Sequence, residues 1–258
     1  MGPWVFVLAY ATAVAGSYTG LSCIRRSHED SGRNGGNWWL PMASLAIGGV
    51  GIWLMHFIGM MGFSVPGTVI RYHLGPTVLS VLAAVATTMF GIWIVTVRSA
   101  MLERLPRGVR PGIGGLVMGL AVSLMHYIGM TAMRVQGTID HDARFVLLSV
   151  GIGVVASTLA LALARSAERV HIRLMAAFVM ASAVVALHYT GMAGVHVVVD
   201  PEAPEPSGMS VLSFLFPAFI LGIIVLAVPI TALVLAPEDE KGRHEDLIEL
   251  RTDAGSGT

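Results

Sequence analysis

Three histidines recur in this chain within nearly the same short motif. His56, His126 and His188 are each preceded by methionine or leucine and followed by an aromatic residue, and glycine and methionine come three and four residues later. The histidines are separated by 70 and then 62 residues. Imidazole nitrogen binds copper, zinc, iron and nickel, and it also carries protons or ligates haem iron. The repetition predicts a site in which three histidines act together.

Each histidine has a methionine four residues further along the chain. Residues four apart lie on one face of a helix, one turn from each other, so each pair can offer an imidazole nitrogen and a thioether sulfur to one ion. Thioether sulfur is a soft ligand that selects copper, in particular Cu(I), over magnesium, calcium or manganese. Two of the histidines also follow a methionine directly. The expected metal ligands are His56, Met60, His126, Met130, His188, Met192, Met55 and Met125.

The segments that carry the histidines are long and apolar. Of the 258 residues, 55% are hydrophobic and 12% are charged, and the mean hydropathy of +0.74 far exceeds that of an ordinary soluble domain. A helix needs roughly 20 residues to cross a bilayer. Seven uncharged stretches are long enough, which predicts an all-α, multi-pass membrane protein with a seven-helix domain over 1–236 and a short charged tail over 237–258. The predicted spans are Trp4–Ile24, Trp38–Phe63, Leu74–Val97, Ile113–Met133, Phe145–Ala164, Leu174–Val195 and Val211–Leu235.

The charged residues are interpreted as lying between and after these spans. Thirteen of the 16 basic residues fall after spans 1, 3 and 5 or in the tail, and positive residues mark the cytoplasmic side. This asymmetry predicts an N-terminus outside, a C-terminus in the cytoplasm and histidine motifs near the outer face. The formal net charge is zero, so nothing favours a nucleic-acid partner.

The even-numbered spans carry the motif, so the repeating unit is a pair of helices. Three tandem pairs plus a seventh helix account for the spans, and an even number of spans per unit keeps all copies in one orientation. The motif glycines, Gly59, Gly129 and Gly191, lack a side chain where helices could approach each other closely.

The three motifs resemble those of the MHYT domain, a bacterial membrane-sensor family named after a Met-His-Tyr-Thr repeat. The chain reads Met-His-Phe-Ile, Met-His-Tyr-Ile and Leu-His-Tyr-Thr at the three sites, so no copy is the full tetrad. The resemblance implies a seven-helix domain in the bacterial inner membrane that binds copper and through it senses oxygen, carbon monoxide or nitric oxide. Members often carry a cytoplasmic diguanylate cyclase or phosphodiesterase domain. Here only the short tail follows the seventh span, which predicts a separate cytoplasmic signalling partner.

The leading hypothesis is therefore a metal-dependent sensor. A copper or small-solute transporter and a bis-histidine haem protein stay as alternatives, although a proton-coupled carrier usually needs carboxylates within the membrane and none is visible. An enzyme is not expected, because the spans contain no nucleophile and base pair and no carboxylate dyad. A retinal protein needs a lysine in a span, and the single lysine, Lys241, lies in the tail.

Other polar and aromatic residues near the predicted outer face are assigned weaker roles. Five loop residues are interpreted as solvated rather than metal-binding: His73, Asp140, His141, Asp142 and His196. The aromatic residues after the histidines, Phe57, Tyr127 and Tyr189, either shield the site or anchor the helices at the membrane surface.

Overall fold

Seven helices in the described part of the chain are long and apolar enough to cross a membrane. The computed structural model describes residues 3–29, 38–96, 109–164 and 169–235. The helices are α1 Trp4–Glu29, α2 Trp39–Met60, α3 Leu74–Thr96, α4 Val109–Ala132, α5 Ala143–Ala164, α6 Val170–Ala193 and α7 Val211–Leu235. The helical fold with seven candidate spans is confirmed. The predicted tail, residues 237–258, lies outside the described residues.

Four helices extend beyond the predicted spans into charged residues. Helix α1 ends at Glu29 rather than at Ile24, and α4, α5 and α6 begin at Val109, Ala143 and Val170 rather than at Ile113, Phe145 and Leu174. The prediction that the arginines lie in loops was therefore wrong for Arg25, Arg26, Arg110, Arg144 and Arg173. An apolar stretch marks only the part of a helix that suits hydrocarbon, whereas arginine and glutamate are themselves good helix formers.

The first six helices form a closed ring. Each of α1 to α5 packs against the next helix along the chain, and α6 packs against α1. Helix α7 lies outside the ring against α2 and α1. Of its most apolar 18-residue stretch only 11% is buried, compared with 78% for the corresponding stretch of α2. The histidine-bearing helices α2, α4 and α6 therefore alternate around the ring.

Helix α2 contains a π-helical segment that the sequence did not predict. The segment spans Leu45–Leu54, between short α-helical stretches, and includes three glycines. A methyl group on Gly48 would lie 2.6 Å from the carbonyl oxygen of Ala84 in α3, and one on Gly16 of α1 would lie 2.5 Å from the carbonyl oxygen of Ala46. The glycines thus let both neighbouring helices approach this segment closely. A π-helical segment of this length is rare, and the close contacts at Gly48 and Gly16 indicate that tertiary packing stabilises it.

The loops after α2, α4 and α6 join into a cover over one end of the ring. Strand β1, Arg71–Tyr72, pairs antiparallel with β2, Met133–Arg134, and β3, Gly137–His141, pairs antiparallel with β4, Val195–Val199. These short strands lie in loops, which the all-α prediction for the apolar spans did not address. The Gln136 side chain donates hydrogen bonds to the carbonyl oxygens of two residues in the loop after α6, at 3.1 and 2.8 Å. Since the three loops contact each other, the three motif helices end on the same side.

Candidate metal centre

The three motif histidines meet in the middle of the ring. Each lies near the end of its helix, His56 in α2, His126 in α4 and His188 in α6, and each is only 1% exposed. One potential ligand nitrogen of each lies within 4.8 Å of the others. The sequence therefore identified the residues that come together at this site.

The three imidazole rings stand nearly at right angles to one another. Their centroids are 4.9, 4.9 and 5.3 Å apart, and each ring is nearly perpendicular to the other two. The Nδ1 atom of His56 lies 3.0 Å from Nδ1 of His188 and 3.2 Å from Nδ1 of His126. At such distances two nitrogen lone pairs repel each other, so a proton or a cation must lie between them.

The other ring nitrogen of each histidine points to the next motif helix, where it meets the motif glycine. All three Nε2 atoms are buried without a hydrogen-bond partner among the described residues. A methyl group on the facing glycine would come within 2.6 Å of Nε2, or closer, in every case. The facing pairs are His188 with Gly59, His56 with Gly129 and His126 with Gly191. The close approach expected at these glycines is thus made by a histidine side chain, and it directs Nδ1 towards the centre.

The two Nδ1 distances that His56 makes are close to those expected around a single metal ion. Bonds of about 2.0 Å from one ion to three nitrogens at tetrahedral angles hold those nitrogens about 3.3 Å apart. The two short Nδ1 distances, 3.0 and 3.2 Å, need only a few tenths of an ångström of adjustment. Three imidazoles on one side of an ion also leave a coordination position for a further ligand.

The motif methionines are buried to different degrees. Met55 is 0% exposed, Met60 and Met125 are 1% exposed and Met130 is 2% exposed, whereas Met192 is only partly buried. Their role as sulfur ligands stays a prediction.

The aromatic residue after each histidine packs against that histidine edge to face. The ring centroids are 4.8 Å apart for Phe57 and 4.9 Å apart for Tyr127 and Tyr189. The Tyr127 hydroxyl forms a 2.8 Å hydrogen bond with the Ser149 hydroxyl. These contacts support a shielding role, since the aromatic rings flank the imidazoles.

The loop histidines and carboxylates are not part of the group of three buried histidines, although the His141 ring packs edge to face against Tyr127, with centroids 5.8 Å apart. Asp140 and His141 are on β3, Asp140 is paired in register with His196 on β4, and Asp142 follows β3. His73 forms a 3.4 Å hydrogen bond through Nε2 with Ser207. The metal-binding group found in the described residues consists of the three buried histidines alone.

A small cavity lies in the ring one to two turns below the histidines. Its volume is about 30 Å³, and apolar side chains form most of its lining. Ile52, Val122 and Val184 line it, and each precedes a motif histidine by four residues. A cavity of this volume holds one water-sized molecule, and apolar walls offer few partners to water.

Comparison with known families identifies the repeat. Residues 49–107 and 119–177 match the MHYT family, described as a bacterial signalling protein N terminal repeat. The chain belongs to the MHYT family. With its seven apolar helices, this MHYT protein is a multi-pass membrane protein of a bacterial signalling family.

Curated MHYT-containing relatives are signalling proteins. The chain is 39% identical over 186 residues to the bifunctional diguanylate cyclase/cyclic di-GMP phosphodiesterase MucR of Pseudomonas aeruginosa, covering 70% of this chain and 26% of MucR. It is 32% identical over 209 residues to the cyclic di-GMP phosphodiesterase NbdA of the same organism, covering 78% of this chain and 25% of NbdA. The signalling protein YkoW of Bacillus subtilis is 28% identical over 224 residues, covering 84% of this chain and 27% of YkoW. The chain thus spans about a quarter of the length of these relatives. No solved structure matches it.

Sequence reasoning missed two features of the ionisable side chains of this MHYT protein. The inward direction of Nδ1 depends on contacts between different helices, which no local pattern records. The burial of Arg173, which is 7% exposed, was missed because this residue was assigned to a loop. The arginine precedes the apolar stretch of α6 directly, and that proximity was the available signal.

Proposed function

We propose that the chain is a membrane-embedded sensor that binds a metal ion, copper, through His56, His126 and His188. The observation that carries this proposal is the convergence of three buried imidazoles. Nδ1 of His56 lies 3.0 Å from Nδ1 of His188 and 3.2 Å from Nδ1 of His126. Membership of a bacterial signalling family supports the sensor role. Buried ionisable groups at membrane depth are costly and typical of functional sites.

The protein would hold the three imidazoles in one orientation and keep water away. The motif glycines set the direction of each ring, and the cover formed by the loops closes the end of the bundle. Bound copper would supply an open coordination position for a small ligand. Sulfur from the motif methionines Met60, Met130, Met192, Met55 and Met125 would favour Cu(I).

We further propose that the ligand is a diatomic gas: oxygen, carbon monoxide or nitric oxide. The small cavity below the histidines offers room for such a molecule within two helical turns of the proposed metal centre. Its apolar lining suits an uncharged gas, which also partitions into the bilayer and can enter between helices.

The signal would leave the bundle at the end opposite the histidines. The relatives with cyclic di-GMP activities in their names are about four times longer than the region they share with this chain. We infer that an output domain or a separate cytoplasmic protein receives the signal here. The predicted contact points, loop 98–110, loop 165–173 and the tail, lie largely outside the described residues.

The proposal also includes three tandem helix pairs with the N-terminus outside. The cyclic contacts between histidines and glycines and the alternation of motif helices around the ring support three equivalent units. The arginine asymmetry supports the orientation. Reporter fusions after Ser64 and Pro204, expected outside, and after Gly108, expected inside, test the topology. The reverse pattern would overturn it.

Carbon monoxide binding to copper-loaded protein tests the sensor site. Wild-type protein in lipid nanodiscs, loaded with Cu(I), should show an infrared band from copper-bound carbon monoxide. The triple variant with all three motif histidines changed to alanine should bind no copper and show no band, whereas His73→Ala, in the loop, should keep both. Equal copper content in wild type and triple variant would overturn the proposal.

Transport is distinguished by proteoliposomes that contain a Cu(I) chelator. A sensor binds copper without moving it across the bilayer, since permeation needs successive sites along a path. Saturable copper uptake that is lost in the triple histidine variant would replace the sensor proposal by transport.

A further inference from the structure

A pocket of about 410 Å³ opens at the other end of the bundle. It lies where α1, the first helix of the ring, meets α6, the last one, and α7 forms part of its wall. Arg173 lines it from the first turn of α6. His188 is on the same helix, and at 1.5 Å per residue about 22 Å separates the two along the axis. The pocket is therefore distinct from the histidine site.

Arg173 is buried in this pocket and lacks a balancing carboxylate in the described parts of the chain. The residue is 7% exposed, and its Nε and Nη1 atoms have no hydrogen-bond partner there. The guanidinium carbon lies 5.4 Å from the centre of the Tyr18 ring, a cation–π contact that leaves the guanidinium edge available. A buried guanidinium without hydrogen bonds is costly, so the pocket is suited to an anion that supplies acceptors.

The charge of the pocket lining also favours an anion. Arg25, Arg26 and Glu29 line it from the end of α1. The Glu29 carboxylate accepts hydrogen bonds from Arg25 at 2.5 Å and from Arg26 at 3.4 Å. Glu29 is the one carboxylate in the described lining and already bonds Arg25 and Arg26, so the charge of Arg173 is not balanced there. Guanidinium groups bind phosphate oxygens in a bidentate manner.

The wall formed by α7 is apolar and faces outward. Ile230, Leu233 and Val234 line the pocket, and Ile230 is 46% exposed while Val234 is 77% exposed. In a membrane protein such exposed apolar side chains contact acyl chains. A ligand that matches both walls carries an anionic phosphate next to a hydrocarbon chain.

We propose that this pocket binds the phosphate head group of an anionic membrane phospholipid, with the acyl chains lying along α7. The guanidinium of Arg173 donates to the phosphate oxygens from the buried side, and the α1 arginines hold the head group from the side of the aqueous phase. Basic pockets between membrane helices bind anionic lipid head groups in this way. The site gives the protein a preference for anionic over zwitterionic lipid.

Native mass spectrometry of the full chain, released from nanodiscs that contain equal amounts of phosphatidylglycerol and phosphatidylcholine, tests the proposal. Wild-type protein should retain phosphatidylglycerol in preference. Arg173→Gln should reduce that retention about tenfold, the loss expected for a charged hydrogen-bond donor. Arg134→Gln serves as the matched control, because Arg134 is exposed on β2 at the histidine end and should leave retention unchanged.

Two further measurements distinguish lipid binding in the pocket from binding of a soluble anion. Val234→Glu places a carboxylate on the pocket wall one residue before α7 ends. Its negative charge should repel the phosphate and lower phosphatidylglycerol retention about as much as Arg173→Gln does. Inorganic phosphate added at millimolar concentration should neither displace the lipid nor raise the melting temperature of delipidated protein. Equal retention of both lipids by wild type, or unchanged retention in Arg173→Gln and Val234→Glu, would overturn the proposal. Stabilisation by inorganic phosphate without lipid would assign the pocket to a soluble anion instead.

Discussion

The two ends of the helix bundle differ in how their polar groups are arranged. At one end, the same side chain is supplied by three alternate helices, and the imidazoles contact each other under a cover of paired loops. At the other end, the arginine pocket is built once, where α1, α6 and α7 meet. A motif repeated on alternate helices places its side chains in the middle of the ring. The place where α6 meets α1 and α7 attaches occurs only once in the described bundle. A central site suits a small ion, and a lateral pocket suits a lipid.

Removal of one polar group at each end gives the sharpest test of this difference. His56→Ala removes the one imidazole that has short Nδ1 contacts with both others, so copper affinity should fall by about a hundredfold or more. Arg173→Gln at the opposite end should leave copper affinity unchanged. Competition with a Cu(I) chelator measures both. An equal loss of copper affinity in the two variants would mean that the two ends are not independent sites.

A methyl group on a motif glycine should disturb the histidine end through packing alone. Gly129→Ala places a carbon 2.6 Å from Nε2 of His56, so the ring must turn or the helices must separate, at a cost of about 1–3 kcal/mol of stability. Copper affinity should fall as Nδ1 leaves the centre. Thermal unfolding and chelator competition in the same lipid mixture measure the two effects.

The matched control is Gly151→Ala, because nothing lies within 4 Å of a methyl group at Gly151 in α5. This variant should keep copper affinity and gain slightly in helix stability. If Gly129→Ala behaved in the same way, the glycines would not determine the direction of the histidines.

Filling the central cavity should separate gas binding from metal binding. Val184→Ile adds one methylene to a cavity of about 30 Å³ and should lower carbon monoxide affinity about tenfold, with copper content unchanged. Infrared titration with carbon monoxide measures the affinity. Val155→Ile is the control, since Val155 is 61% exposed on α5. Unchanged affinity in Val184→Ile would place the gas elsewhere.

The cover over the histidine end should contribute the smallest effect. Gln136→Ala removes two side-chain hydrogen bonds to the carbonyl oxygens of Pro201 and Ala203, which is worth about 1–2 kcal/mol of stability. Hydrogen exchange of β3 and β4 should become faster, while exchange at the arginine end should not change. Faster exchange throughout the bundle would show that the cover is not a local element.

The residues of the histidine site were predictable because an unusual residue type for a membrane helix recurs there at the same position of a repeated motif. Histidine is rare in membrane helices, so three copies at one motif position stand out, and their place on alternate spans puts them at one depth. The orientation of the rings was not predictable, because it follows from contacts such as that of His188 with Gly59 of a different helix. Local sequence does not specify which two helices become neighbours.

The helices were predictable from their apolar stretches, but their packing and their ends were not. Helix α7 is apolar on all sides, so its sequence does not reveal that it lies outside the ring. The π-helical segment of α2 depends on the close approach of α1 and α3 to its glycines. Arg173 was assigned to a loop because hydropathy locates the hydrocarbon part of a helix and not its first turn. Each of these features depends on tertiary contacts.

X-ray absorption of copper-loaded protein in nanodiscs reports the ligands around the metal. We expect one copper per chain, with about three nitrogen ligands at about 2.0 Å and the scattering pattern of imidazole rings. The triple variant, His56→Ala with His126→Ala and His188→Ala, should hold no copper. A wild-type spectrum dominated by sulfur without imidazole nitrogen, or copper retained by the triple variant, would contradict a three-histidine metal centre.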